Sequence, residues 1–202
     1  DINTSLDKFE RSTEVTEVSQ DNNSLGDIMA DIFDELESGK MIDKVKTGIP
    51  IIDKCTNGIA PSELVTIGAK SGVGKSALAV RIAINMFKAG KKVLIVSREM
   101  SKKQVAERIL LSHSGVTKEQ YENRDFNDEQ WVRIVETMEA FSGDGIIIDD
   151  KISTIQEIKQ AVRRTKPDVL IVDYVQLLTP SNPRDSRERQ VAEISRELKK
   201  MT

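Results

Sequence analysis

Ala69-Lys70-Ser71-Gly72-Val73-Gly74-Lys75-Ser76 lies between an apolar run, Leu64-Val65-Thr66-Ile67, and the helical spacing of Leu78, Ile82 and Met86. Strand, glycine-rich turn and helix in that order make a cradle for phosphate. Gly72 and Gly74 allow the backbone dihedrals that aim successive N–H groups at an anion, and the helix that starts there adds the positive end of its dipole. The nucleotide-binding run is therefore Lys70, Ser71, Gly72, Val73, Gly74, Lys75, Ser76 and Ala77. Lys75 is expected to reach the β- and γ-phosphates of a nucleoside triphosphate and to act in catalysis there, and Ser76 to offer its hydroxyl to Mg²⁺. The strict motif begins with Gly, whereas this loop begins with Ala69 preceded by Gly68. A chance glycine-rich turn would have no reason to put Gly-Lys-Ser where the helix dipole needs it.

Outward from the loop, the chain alternates strand and helix from residue 46 onward. Strands are expected at 63–68, 92–97, 145–149 and 168–173, and helices at 75–88, 101–113, 128–141, 154–165 and 188–200. That alternation predicts an α/β fold with a parallel sheet covered by helices on both faces. Ser101 with Gln104 and Thr154 with Glu157 have the spacing of capping boxes. Trp131, Ile134, Val135 and Met138 form a helical stripe expected in the core. Residues 180–187 form a breaker-rich, charged loop before the last helix.

The amino-terminal part differs. Residues 1–23 are polar with no sustained apolar period and read as a flexible linker or tail. Within 24–45, Leu25, Ile28, Met29, Ile32, Phe33 and Leu36 share one helix face, Ser24 suits the N-cap and Gly39 the stop. This amphipathic helix must bury its stripe on its own domain or on a neighbouring subunit. The division is thus 1–23, 24–45 and a domain at 46–202. No initiator Met opens the chain, so a longer protein is expected.

At 202 residues and 38% hydrophobic content the chain can hold one domain plus an appendage. No run approaches the roughly 18 apolar residues of a membrane span and no signal segment opens the chain, so no membrane contact and a cytoplasmic location are expected. Cys55 is the only cysteine, which excludes an intramolecular disulfide and a multi-cysteine zinc site. His113 is also alone, in a helical pattern, and reads as a surface or packing residue. The net charge of −3 divides unevenly: residues 1–45 hold 12 acidic and 4 basic residues, so the remainder is mildly basic. That balance neither demands nor forbids nucleic acid.

Two carboxylates complete the nucleotide site. Val169-Leu170-Ile171-Val172 ends in Asp173, a Walker B pattern whose carboxylate can orient the shell of Mg²⁺. Glu99 lies just beyond the carboxyl end of Val93-Leu94-Ile95-Val96-Ser97, the end that faces the phosphates in a parallel sheet. It can serve as the general base for an attacking water, or merely complement the dipole of the helix that starts near Ser101.

Taken together, Thr47-Gly48-Ile49-Pro50, Ile52-Asp53, Asn57-Gly58, the phosphate loop, Ser97-Arg98-Glu99-Met100-Ser101, Asp173-Tyr174-Val175-Gln176-Leu177-Leu178, Arg187-Glu188-Arg189-Gln190 and Glu193-Ile194-Ser195-Arg196 resemble, in order, the RecA-like motor domain of DnaB-type replicative helicases. The resemblance spans about residues 45–200, and that family commonly begins its loop with Ala. It implies a RecA-like P-loop NTPase core preceded by an amphipathic linker helix that docks on the adjacent subunit of a hexameric ring. It also implies an enzyme that uses ATP and Mg²⁺ to move on single-stranded DNA, with Glu99 as catalytic base and Ser76 and Asp173 at the metal. The loop after the Walker B strand faces DNA in the family, which makes Arg184, Arg187 and Arg189 candidates for phosphate contact; a basic loop can equally be only solvated. Primase and a helicase loader are implied partners through regions outside this chain.

Two departures stand out. Arg98 replaces the apolar residue usual between Ser97 and Glu99, and the family's later strands, sensor and arginine finger fall beyond Thr202, so this chain alone is expected to hydrolyse ATP poorly. Two other functions share the same nucleotide site: a RecA-like ATPase acting as a switch or recombination factor, and a catalytically silent interaction module. Strand displacement separates the first from a helicase, and phosphate release above a Lys75 mutant separates both from the second.

Overall fold

The structure is a computed structural model that describes residues 24–39, 42–70, 72–180, 182 and 184–202. The expected tail at 1–23 lies outside the described residues. The chain divides into two units, with the boundary between Ile42 and Asp43.

The first unit contains helix α1, Leu25–Glu37. Ser24 caps it as expected, its Oγ accepting from the Asp27 N–H at 3.2 Å, and Gly39 ends it in the left-handed region at φ 64°. Leu25, Ile28, Met29, Ile32 and Leu36 are all exposed.

The second unit is built on three parallel strands, β1 (Val93–Ser97), β2 (Ile146–Asp149) and β3 (Val169–Asp173), in the order β2-β1-β3. Val93 pairs with Ile146 on one side and with Val169 on the other. Around the sheet run α2 (Pro50–Thr56), α3 (Lys75–Lys88), α4 (Lys102–Ser114), α5 (Lys118–Asn123), α6 (Asp128–Ala140), α7 (Ile155–Thr165) and α8 (Arg187–Lys199). The central strand is buried on both faces. Val93 and Ile95 pack with Val80, Ala83 and Ile84 of α3 and Val105 and Ile109 of α4. Leu94 and Val96 pack with Ile155 and Ile158 of α7 and Ile194 and Leu198 of α8. Successive strand residues point to opposite faces, so an unbroken apolar run needs helices on both.

Local capping sets the helix starts. The boxes at Ser101/Gln104 and Thr154/Glu157 form as expected, and Thr117/Gln120 and Asn127/Gln130 make two more. His113 has the packing role expected of it: it lies edge-on to Phe141 at 5.2 Å, and burial, with Lys88 and Arg81 nearby, lowers its pKa.

Two expectations are corrected. Residues 63–68 do not join the sheet. Their alternation supplies strand propensity, but a strand exists only through a neighbour's N–H and C=O groups, and no described segment pairs with them. Leu64, Val65 and Ile67 are left exposed.

The stripe on α6 is not core either. Trp131 is 52% exposed, Val135 50% and Met138 64%, while Ile134 alone of the four is buried at 7%. The inner face is Gln130, Ile134 and Thr137. Gln130 and Thr137 can sit inside because their polar groups bond locally: Gln130 Oε1 accepts from Asn127 N–H at 3.0 Å and Thr137 Oγ1 donates to Arg133 O at 2.7 Å. Helix α6 packs on α4 through that polar-edged face, which turns the apolar stripe outward.

Candidate nucleotide site

The phosphate loop takes the conformation its glycines were expected to permit. Gly72 has φ 80° and Gly74 φ 104°, and a Cβ at either would meet nothing within 4 Å, so it is backbone conformation that calls for glycine there, with open space beside it. Gly74 is also the N-cap of α3 and brings no side-chain cap, unlike the Ser, Thr and Asn caps of α1 and of α4 to α8. The first N–H groups of α3 are thus left for an anion. Lys70 and Val73 are exposed, Lys75 and Ser76 half-buried and Ala77 exposed; Ser71 lies outside the described residues.

A brace behind the loop holds α3. The Asp53 carboxylate accepts from Thr47 N–H at 2.8 Å, Thr47 Oγ1 at 2.7 Å and Gly48 N–H at 2.9 Å. Asn85 of α3 donates from Nδ2 to Thr47 O at 3.0 Å. Gly48, at φ 70°, lies so close that a Cβ would fall 2.5 Å from Asn85 Nδ2. Desolvation raises the Asp53 pKa, but the three hydrogen bonds and nearby Lys46 outweigh it and hold the carboxyl below its ordinary value. The Thr-Gly and Asp elements of the sequence are therefore a structural clamp on the helix that carries the loop.

The carboxyl ends of the strands bring the remaining candidates together. Ser97 and Asp173 are register partners on β1 and β3. Lys75 Nζ sits 5.4 Å from the centroid of the Tyr174 ring, next in chain to Asp173, and lies 3.4 Å from Ala69 O. Glu99 is exposed at the tip of a turn closed by Ser97, whose Oγ donates to Met100 O at 2.8 Å. Asp173 is buried at the strand end. Lys75, Asp173 and Glu99 thus share the edge of the sheet at which the strands end.

Two residues at this edge escaped the sequence. Tyr174 is one, signalled only by an aromatic residue directly after a strand-end Asp. Asp150 is the other: its Oδ2 accepts from Lys102 N–H at 2.8 Å at the start of α4, and that bond above all lowers its pKa. Its signal was of the same kind as that of Asp173, an acid at the end of an apolar strand.

The basic loop is partly engaged. Arg187 donates to Gln176 O and, at 3.2 Å, to Gln190 Oε1, which folds it onto the turn of 3₁₀ helix at Val175–Leu177. Arg184 N–H bonds to Asn182 Oδ1 at 3.2 Å, and Arg184 and Arg189 are both exposed. Among the described residues no group of three or more acidic, His or Cys side chains is placed to hold a metal, so a cation here would depend on phosphate oxygens as well as on the protein. No described helix is long and apolar enough to cross a membrane.

A phosphate loop at the carboxyl edge of a parallel sheet, with helices on both faces, defines a RecA-like P-loop nucleotide-binding domain. Within that class the chain belongs to the DnaB-like helicase C terminal domain family, whose model matches residues 44–202. It is 32% identical to the replicative DNA helicase DnaB of Geobacillus stearothermophilus, over 98% of this chain and 47% of that protein. It is 30% identical to the replicative DNA helicase DnaC of Bacillus subtilis (strain 168), over 92% of this chain and 44% of that protein. The chain spans a little under half the length of these curated relatives. Among solved structures it resembles an isolated ATPase domain, with TM-score 0.79 and 32% identity over 90% of this chain and 67% of that one. It also resembles a DnaB-like replicative helicase solved for its interactions with primase, with TM-score 0.78 and 30% identity over 99% of this chain and 50% of that one.

Proposed function

We propose that this chain is the motor domain of a replicative DNA helicase that hydrolyses ATP with Mg²⁺ and moves on single-stranded DNA as a homo-hexameric ring. The observation that carries the proposal is the convergence of Lys75, Asp173 and Glu99 at one sheet edge in a member of this helicase family.

The residues Lys70 to Ala77 bind the phosphates, chiefly through backbone N–H groups, and Lys75 pairs with the β- and γ-phosphates. The residues fit Mg²⁺: Ser76 and Asp173 supply a hydroxyl and a carboxylate, the oxygen donors that this ion prefers. The chemistry that Mg²⁺ supplies when bound is neutralisation of charge on the phosphate oxygens. Glu99, beyond the strand end and open to solvent, orients a water and takes its proton. Arg184 and Arg189 are free to meet DNA phosphates, and Arg187 shapes the loop that presents them. Primase is a proposed partner of the whole protein, since one structural relative was solved for that interaction.

The test is unwinding of a forked duplex by the full protein that contains this chain. ATP-dependent displacement that needs a free single-stranded tail is expected, with Lys75→Ala inactive. In Glu99→Gln, nucleotide binding should persist while turnover falls by about 10² or more. Hydrolysis without displacement would make the protein a switch ATPase, and no phosphate release above Lys75→Ala would make it a silent module.

A further inference from the structure

The turn that carries Glu99 is fastened on both sides to a single residue of the neighbouring strand end. Arg98, immediately before Glu99, donates from its guanidinium to Asp150 O at 3.0 Å. Lys102, three residues after Glu99, donates its N–H to the Asp150 carboxylate at 2.8 Å. The Arg98 N–H also bonds to Asp173 O at 2.7 Å, which ties the same turn to β3.

We infer that Arg98 is a positioning residue that, with Asp150, fixes the place of Glu99 at the nucleotide; this rests on the role proposed above for Glu99. An arginine at an exposed turn would ordinarily extend its head into water. Here Nε is buried, with no hydrogen-bond partner among the described residues. Burying part of a guanidinium is unfavourable unless it is hydrogen-bonded, so the side chain is held in by its bond to Asp150. The planar head keeps that bond in one direction, which a flexible ammonium would not. Arg98 therefore joins three strand ends: β1 through its own backbone, β3 through its N–H and β2 through its guanidinium. Glu99 acts on a water only if its carboxylate stays within hydrogen-bond reach, and a misplacement of about 1 Å can lower turnover by about 10².

The experiment uses the full protein with four variants: Arg98→Met, Arg98→Lys, Glu99→Gln and the double variant Arg98→Met with Glu99→Gln. Circular dichroism checks that each is folded. In Arg98→Met, kcat for ATP should fall by about ten- to a hundredfold with KM changed by no more than about twofold, because phosphate binding is left alone. Arg98→Lys should recover part of the loss through a single donor. Amide exchange at Glu99 to Lys102 should quicken in Arg98→Met, and should do so equally in the Glu99→Gln background. In the double variant turnover should be no lower than in Glu99→Gln alone. Unchanged kcat or unchanged exchange in Arg98→Met would overturn the inference while leaving the helicase assignment intact. Retained turnover in Glu99→Gln would instead overturn the assignment of the base. If Arg98→Met does not fold, Arg98→Gln, which keeps a polar head but not its reach, gives the same two readouts.

Discussion

Lys75 Nζ lies 5.4 Å from the centroid of the Tyr174 ring, so the phosphate-loop lysine rests beside the residue that follows Asp173. Lys75→Ala should weaken nucleotide binding by about a hundredfold or more, because it removes the ammonium placed for the β- and γ-phosphates. Tyr174→Leu should change affinity by less than about tenfold, since a cation–π contact still open to solvent contributes roughly 0.5–1 kcal/mol. Calorimetry with ATP compares the two. Near wild-type affinity in Lys75→Ala would remove the loop from nucleotide binding.

Asp53 should matter to the fold and not to chemistry. Its carboxylate takes three hydrogen bonds from Thr47 and Gly48, and Thr47 is in turn bonded to Asn85 of α3. Asp53→Ala should lower the thermal midpoint by several degrees, because the donors of buried Thr47 lose their acceptor. Asn at the same position should do less harm. A midpoint unchanged in Asp53→Ala would show that the brace contributes nothing.

Much of this was legible in the sequence, for a local reason. The loop, the capping boxes and the apolar runs of β1, β2 and β3 are decided by neighbours within about four residues, as is the φ that Gly72 and Gly74 must adopt. What was misread depends on distant partners. Periodicity identified Trp131, Val135 and Met138 as one face of a helix, but nothing in that window says which face another helix will cover. Residues 63–68 have strand composition, but pairing is decided by a segment elsewhere. Helix α2 went unread because Pro50 and the left-handed Asn57 close a helix of only seven residues, too short to show a period.

The corrected orientation of α6 gives a direct comparison. Ile134→Ala should destabilise the domain by about 2–4 kcal/mol, whereas Val135→Ala, one residue along, should stay within about 0.5 kcal/mol. Urea melts of both variants check it. Equal losses would put Val135 in the core after all.

Glu197 supplies a pH dependence. Hydrogen bonds from Lys159 and Lys200, both at 2.7 Å, bring its pKa from the ordinary 4.5 down to about 2. A carboxyl whose pKa is lower in the folded state adds stability above its unfolded value and loses it as pH falls toward the folded value. The stability gap between wild type and Glu197→Gln should therefore be full at pH 6–7 and shrink from about pH 4.5 downward. Denaturant midpoints measured across that range decide it; a gap that does not vary with pH would mean the lysines do not bind the carboxylate.

The exposed stripe of α1 is expected to dock on a neighbouring copy, as the family resemblance implies. Ile28→Asp with Ile32→Asp should leave the folded domain intact and shift assembly toward monomer by several orders of magnitude, since apolar anchors dominate association. Light scattering with circular dichroism reads both. An unchanged oligomer would place the stripe in some other contact.

The strand order has a further consequence, for the birth of the molecule on the ribosome. β1 is the centre of the sheet, yet it emerges before either neighbour: Val93 waits about 50 residues for Ile146 and about 75 for Val169. At roughly 5–20 residues per second the second wait lasts several seconds to about 15 s. During that time Val93-Leu94-Ile95-Val96, an uncharged β-branched run, has no strand to pair with. Such a run is the kind that aggregates, so a nascent chain released or stalled before β3 is the form of this protein most in need of a chaperone.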